Sequence, residues 1–109
     1  MRTSSVFTKI QALSNATRFE IVCLLRDQEM TAGSIARRFD LTRPAVSQHI
    51  GILREAGLLR ERRLGAKRFY VARNEGFDEI LAFVEGYWRP RLRRLKAAAE
   101  AAERGKARK

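Results

Sequence analysis

The chain has one cysteine, Cys23, and one histidine, His49. A lone cysteine excludes an intramolecular disulfide, and a lone histidine leaves too few ligands for a zinc site of the usual three or four donors. No apolar run approaches the roughly 18 residues of a membrane span, and no secretory h-region is visible, so a reducing, cytoplasmic setting without membrane association is expected. Catalytic ingredients are also missing. No glycine-rich phosphate loop follows a strand, and no set of nucleophile, base and orienting group can be assembled. No catalytic residue, metal or cofactor is therefore expected.

Acidic residues are scarce relative to basic ones. Twelve Asp and Glu stand against 23 Lys and Arg, for a formal net charge of +11, beyond what solubility demands, and this points to an anionic partner. Residues 1–50 carry 7 basic and 4 acidic residues, whereas 51–109 carry 16 and 8, so most of the excess lies downstream. A length of 109 residues with 45% hydrophobic and 32% charged content describes one folded domain with little room for a second core. The expected division is a single unit over 1–104 followed by a basic tail over 105–109.

Apolar spacing predicts mainly helix with one small hairpin, in the order α-α-α-α-β-β-α. Val6, Ile10 and Leu13 mark one stripe of a short docking helix over 4–13. Ser14 and Asn15 are N-cap types before a run over 16–26 that is apolar on most sides, which reads as the central core helix with Cys23 buried as a small hydrophobe. Thr31 caps a helix carrying Ile35, Ala36 and Phe39, and residues 40–42 break it. Thr42 then caps a helix over 43–56, with Pro44 in its first turn and Gly57 as its stop. Residues 58–63 and 67–72 alternate like strands around Leu64, Gly65 and Ala66. From Phe77 a long amphipathic helix runs to about Arg104, with a kink or break expected just before Pro90.

On the helix over 43–56, Val46, Ile50 and Leu53 share one face, which fixes Pro44, Gln48, Gly51 and Glu55 on the other, flanked by Ser47 and Ile52. Arg43 and Arg54 project from one edge. A helix of this kind enters the major groove of DNA with its N-terminal residues at base edges, where Gln bonds adenine bidentately and Ser serves several bases. Gly51 permits close backbone approach. His49 falls beside the core face, which leaves open a ring packed at the helix flank or a contact to phosphate or base. Arg60, Arg62, Arg63, Lys67 and Arg68 surround the single acid Glu61 and are expected to converge at the hairpin tip, which can follow a phosphate backbone or enter the minor groove. The basic residues Arg89, Arg91, Arg93, Arg94 and Lys96 interleave with Trp88, Leu92 and Leu95 and read as a solvated face, with Arg91 near enough to the stripe to pair across an interface.

The stretch LTRPAVSQHIGILREAGLL at 41–59, preceded by LSNATRFEI at 13–21, resembles the ArsR/SmtB family of bacterial winged helix-turn-helix repressors over about residues 5–72. The resemblance implies a homodimer, joined by its first and last helices, that represses transcription at a palindromic double-stranded DNA operator. It places Ser47, Gln48 and His49 on a recognition helix and Gly65, Lys67 and Arg68 in a wing. Thr42, Arg43, Pro44, Gly51, Arg54, Arg60, Arg62 and Arg63 complete the expected DNA-binding set. Val6, Ile10, Leu13, Ile80, Val84, Tyr87, Trp88, Leu92 and Leu95 form the expected dimer interface. Metal-sensing members carry Cys-x-Cys before the turn, but residues 29–35 here contain no cysteine, and the paired ligands of the last helix are absent too. Metal-dependent release is not expected, and no small-molecule effector can be named. The competing reading is a protein-interaction module built on the Tyr87 and Trp88 stripe; a redox sensor working through Cys23 stands third.

Overall fold

The computed structural model describes residues 5–107. Helices α1 (Ser5–Leu13), α2 (Ala16–Leu25), α3 (Ala32–Phe39) and α4 (Arg43–Glu55) precede strands β1 (Leu59–Leu64) and β2 (Lys67–Ala72). A 3-10 turn (Asn74–Phe77) then leads into α5 (Asp78–Ala107). This is the winged helix-turn-helix order expected from the sequence.

Polar side chains close the helix starts. Asn15, Thr31 and Thr42 each accept from the backbone N–H three residues on, which satisfies one of the donors that a helix start leaves open. The turn between α3 and α4 is tight because Asp40 takes φ 53° while the Leu41 N–H donates to Ala36 O at 2.8 Å. Gly57, at φ +80°, ends α4 in the same manner, with the Leu58 N–H on Leu53 O at 2.9 Å. Both are left-handed caps, tolerated by Gly without cost and by Asp better than by most residues.

The core gathers Ala12 of α1, Ile21, Val22 and Leu25 of α2, Ile35 and Ala36 of α3, Val46, Ile50 and Leu53 of α4, then Leu58, Leu59 and Tyr70. Strands β1 and β2 pair antiparallel from Leu59 opposite Ala72 to Leu64 opposite Lys67, leaving Gly65 and Ala66 as the turn. Leu58 is not in the strand because its N–H completes the α4 cap. Met30 adds a bridge to the outer edge of β2, exchanging hydrogen bonds with Tyr70 at 3.1 and 2.8 Å.

Three expectations are corrected here. Cys23 is exposed rather than buried, because the inward face of α2 is Ile21, Val22 and Leu25, and Cys23 shares its outer face with the exposed Phe19. Helix α2 is thus open on one side. Pro90 neither ends nor breaks α5. The carbonyl that its ring would meet belongs to Gly86, which has no side chain and open space around it, so that carbonyl can tilt into water. The helix also runs past Arg104 to Ala107, so the first residues of the supposed tail are helical. The inward side of α1 presents Ala12 and Lys9, and of the expected stripe Ile10 is exposed while Leu13 packs partly against the core of its own chain.

Lys9 is the one buried charged residue among those described, at 5% exposure. Its Nζ lies 3.3 Å from Glu79 Oε1 and ties α1 to the first turn of α5. Hydrogen bonds from Ser5 and then Lys9 hold the Glu79 carboxyl below the ordinary carboxylate value.

Candidate nucleic-acid interface

With Val46, Ile50 and Leu53 buried, α4 presents Thr42, Arg43, Pro44, Ser47 and Gln48 to solvent. These positions lie on the first two turns, the part of a groove-inserted helix that reaches base edges. Gly51 is half-buried, with nothing within 4 Å of where a side chain would start.

Arg43 and Ser47 form one wall of an open concavity of about 740 Å³ whose other walls come from α3 and the hairpin tip. Thr31, Ser34 and Arg37 line it from α3, and Lys67, Arg68 and Phe69 from β2. Among the described residues, Arg37, Arg43, Arg63 and Lys67 have no carboxylate within ion-pair distance. Arg37 did not emerge from the sequence reading. Its signal was the basic last turn of α3, Arg37 and Arg38, on the helix that crosses the phosphate backbone in helix-turn-helix proteins.

The five cations expected at the hairpin tip do not converge there. Arg60, at the hairpin base, donates to both Glu75 oxygens at 3.3 and 3.2 Å. Arg62 makes a two-pronged contact with Glu29 at 2.7 and 3.0 Å and lies over the Phe69 ring. That contact holds the Glu29 carboxyl below its ordinary value and, with the Met30 bridge, fastens the hairpin to the loop before α3. Only Arg63, Lys67 and Arg68 flank the tip, since Arg63 pairs with Arg68 and Leu64 with Lys67. Glu61 accepts from the Tyr70 hydroxyl at 3.2 Å and sits 3.7 Å from Arg54 and 3.9 Å from Arg68. Arg54 and Arg60 line a separate cleft with Glu55 and Glu61 at the far end of α4.

His49 is half-buried on the inner flank of α4, where Arg18 Nη1 donates to its Nδ1 at 3.5 Å. Arg18 is held in turn by Ala12 O at 2.7 Å. Burial first, and then the Arg18 guanidinium, pushes the imidazole below the usual histidine value of 6.5. The unfolded chain therefore binds a proton at His49 before the folded chain does, and the associated stability is lost as pH falls below 6.5. Replacing His49 by Gln is expected to flatten that decline between about pH 6.5 and 5, above the range where carboxylates titrate; urea melts of both proteins across that interval measure it.

The stripe on α5 is largely uncovered. Leu81, Val84, Tyr87, Trp88, Leu92 and Leu95 are all exposed, while Ile80 packs partly on the core and Val6 of α1 is half-buried. Tyr87 and Trp88 meet edge to face at 5.2 Å, and Arg91 lies 4.5 Å over the Tyr87 ring. Phe7, Phe19 and Phe83 extend the exposed apolar surface beyond the residues singled out from the sequence.

The family described as "Bacterial regulatory protein, arsR family" matches residues 15–61, the segment from the α2 cap into β1. The chain is 33% identical over 76 residues to the transcriptional activator HlyU of Vibrio cholerae, covering 70% of this chain and 68% of that protein. It is 38% identical over 60 residues to the transcriptional repressor SdpR of Bacillus subtilis, covering 55% of this chain and 67% of the relative. Among solved structures, an ArsR-like transcriptional regulator from Rhodococcus sp. RHA1 superposes with a TM-score of 0.69 at 28% identity, covering 87% of this chain and 92% of that one. Sequence and architecture agree across the helix-turn-helix and the hairpin, and the chain belongs to the arsR family of DNA-binding bacterial transcriptional regulators.

Proposed function

We propose that the chain works as a homodimer that represses transcription by occupying a palindromic operator, without using a metal. Ser47 and Gln48 meet base edges in the major groove, Arg43 and Arg37 grip the phosphates beside them, and Arg63, Lys67 and Arg68 follow the flanking backbone. Arg54, Arg60 and Arg62, each paired with a carboxylate, orient the hairpin more than they bind. The observation that carries this reading is the basic concavity joining Ser47 on α4 to Lys67 and Arg68 on the hairpin, in which Arg37, Arg43 and Lys67 have no carboxylate partner among the described residues. Metal independence is supported by the residues before α3, where Glu29, Met30 and Thr31 hold the hairpin and cap a helix. The exposed Tyr87 and Trp88 stripe then belongs to the contact between two copies, since contiguous exposed apolar side chains mark interaction surfaces.

Selection of bound fragments from random duplex DNA tests this directly, and an enriched palindrome is the expected result. Two substitutions then separate reading from anchoring. Gln48→Ala is expected to relax base preference at one position per half-site by about 1–3 kcal/mol, whereas Arg63→Ala should weaken all sequences nearly equally. Titration against a panel of single-base operator variants measures both. Equal loss of specificity from the two would reject the assigned roles, and binding to a protein ligand with no enriched duplex would favour the interaction-module reading.

A further inference from the structure

The recognition helix, the hairpin base and the long helix meet at one point. The α carbon of Gly76 lies so close to the Gly57 carbonyl oxygen that a side chain at 76 would overlap it, and Gly76 is buried. The same carbonyl accepts from Arg73 Nη1 at 3.4 Å, while the Arg73 N–H donates to Leu58 O at 2.9 Å. On the other side of Gly57 the Lys9 stem passes 3.9 Å from where a side chain at 57 would start, and its Nζ ends on Glu79. The C-terminal end of α4 is thus held against the turn that opens α5 by backbone contact, and the Lys9 stem beside it is anchored to α5 by the half-exposed Glu79.

We propose that Lys9, Glu79 and Gly76 are positioning residues that set the spacing between the two operator half-sites. The inference rests on the homodimeric DNA-binding reading above. If α5 and α1 join the two copies, each recognition helix is aimed by its angle to α5. Helix α4 has 13 residues, about 20 Å, so a rotation of about 10° at this junction moves its far end by about 3.5 Å, close to the 3.4 Å between successive base pairs. One inserted base pair also turns a half-site by about 35° around the DNA axis. A stiff junction therefore selects one spacer length, and a loosened one accepts several. A lysine that is almost never buried unless paired has a clear task here: its charge fixes the angle, where an apolar residue would only fill the space.

The test measures affinity for the selected operator and for duplexes with one or two base pairs added to or removed from its centre. The native chain is expected to prefer one spacer by about tenfold or more, the scale of one lost base contact. Lys9→Met keeps the stem, and Glu79→Gln removes the charge from the exposed partner without touching the core. Both are expected to remain dimeric and folded and to lose that preference to within about threefold, with less change at the best spacer. Lys9→Arg should restore the preference at least in part. Lower melting temperatures with an unchanged spacer profile in both variants would overturn the proposal, as would a native chain that binds all spacers alike. Failure of the native dimer to bind any duplex would instead reject the functional reading beneath it.

Discussion

Raising the salt concentration from 50 to 200 mM is expected to weaken operator binding by about 10³- to 10⁵-fold, the loss that accompanies neutralisation of roughly six to ten phosphates. The count follows from the interface. In the proposed dimer each copy offers Arg37, Arg43, Arg63 and Lys67 without an internal carboxylate partner among the described residues, and Arg68 with the distant Glu61 oxygen at 3.9 Å. Two copies therefore bring between eight and ten such cations, and some of these will face groove edges instead of phosphate. Every neutralised phosphate releases condensed counterions, so the logarithm of affinity falls linearly with that of salt. Arg63→Ala should reduce the slope by about two per dimer, one for each copy. Arg62→Ala should change it far less, since that guanidinium is already satisfied by Glu29. Fluorescence anisotropy on one labelled duplex over a salt series gives both slopes, and a flat response would count decisively against the interface described.

Trp88→Ala is expected to raise the dimer dissociation constant by about 30- to 1000-fold, corresponding to the 2–4 kcal/mol typical of a central aromatic anchor. Trp88 is 50% exposed within one chain and, among the described residues, its ring meets the ring of the neighbouring Tyr87. Truncating it therefore removes nothing from the core, and the monomer should keep its helical signal and its melting behaviour. The large effect arises only if a second copy covers the ring. Operator affinity should fall in step, because two half-sites are then filled by independent molecules that lack the advantage of a shared tether. Sedimentation equilibrium over a wide concentration range measures the first quantity, and titration of a full against a half operator measures the second. A substitution that leaves the association state unchanged would move the dimer contact off the middle of α5.

Most of the helical frame was legible because its signals are local. Thr31, Thr42 and Gly57 announce caps and stops through their own side chains or lack of one, and Val46, Ile50 and Leu53 repeat with the helical period. Electrostatic partners were not legible. Arg62 meets Glu29 across 33 positions, and Lys9 meets Glu79 across 70, so charge density along the chain overstated the cations available at the hairpin tip. Cys23 failed for a related reason: a run of apolar residues reveals that a helix touches a core but not how much of its circumference does. Pro90 misled because the effect of a proline depends on the residue four places earlier, and here that residue is Gly86.

The fastening of the hairpin has a kinetic consequence. Glu29 grips Arg62 with two hydrogen bonds while Met30 holds Tyr70 through the backbone, so the ribbon is shaped before any duplex arrives. Little conformational freedom remains for binding to remove, and a preordered ribbon does not have to fold around its target. Encounter is then governed by charge attraction and orientation, and cutting the Glu29 tether would be felt as a slower search for the docked pose.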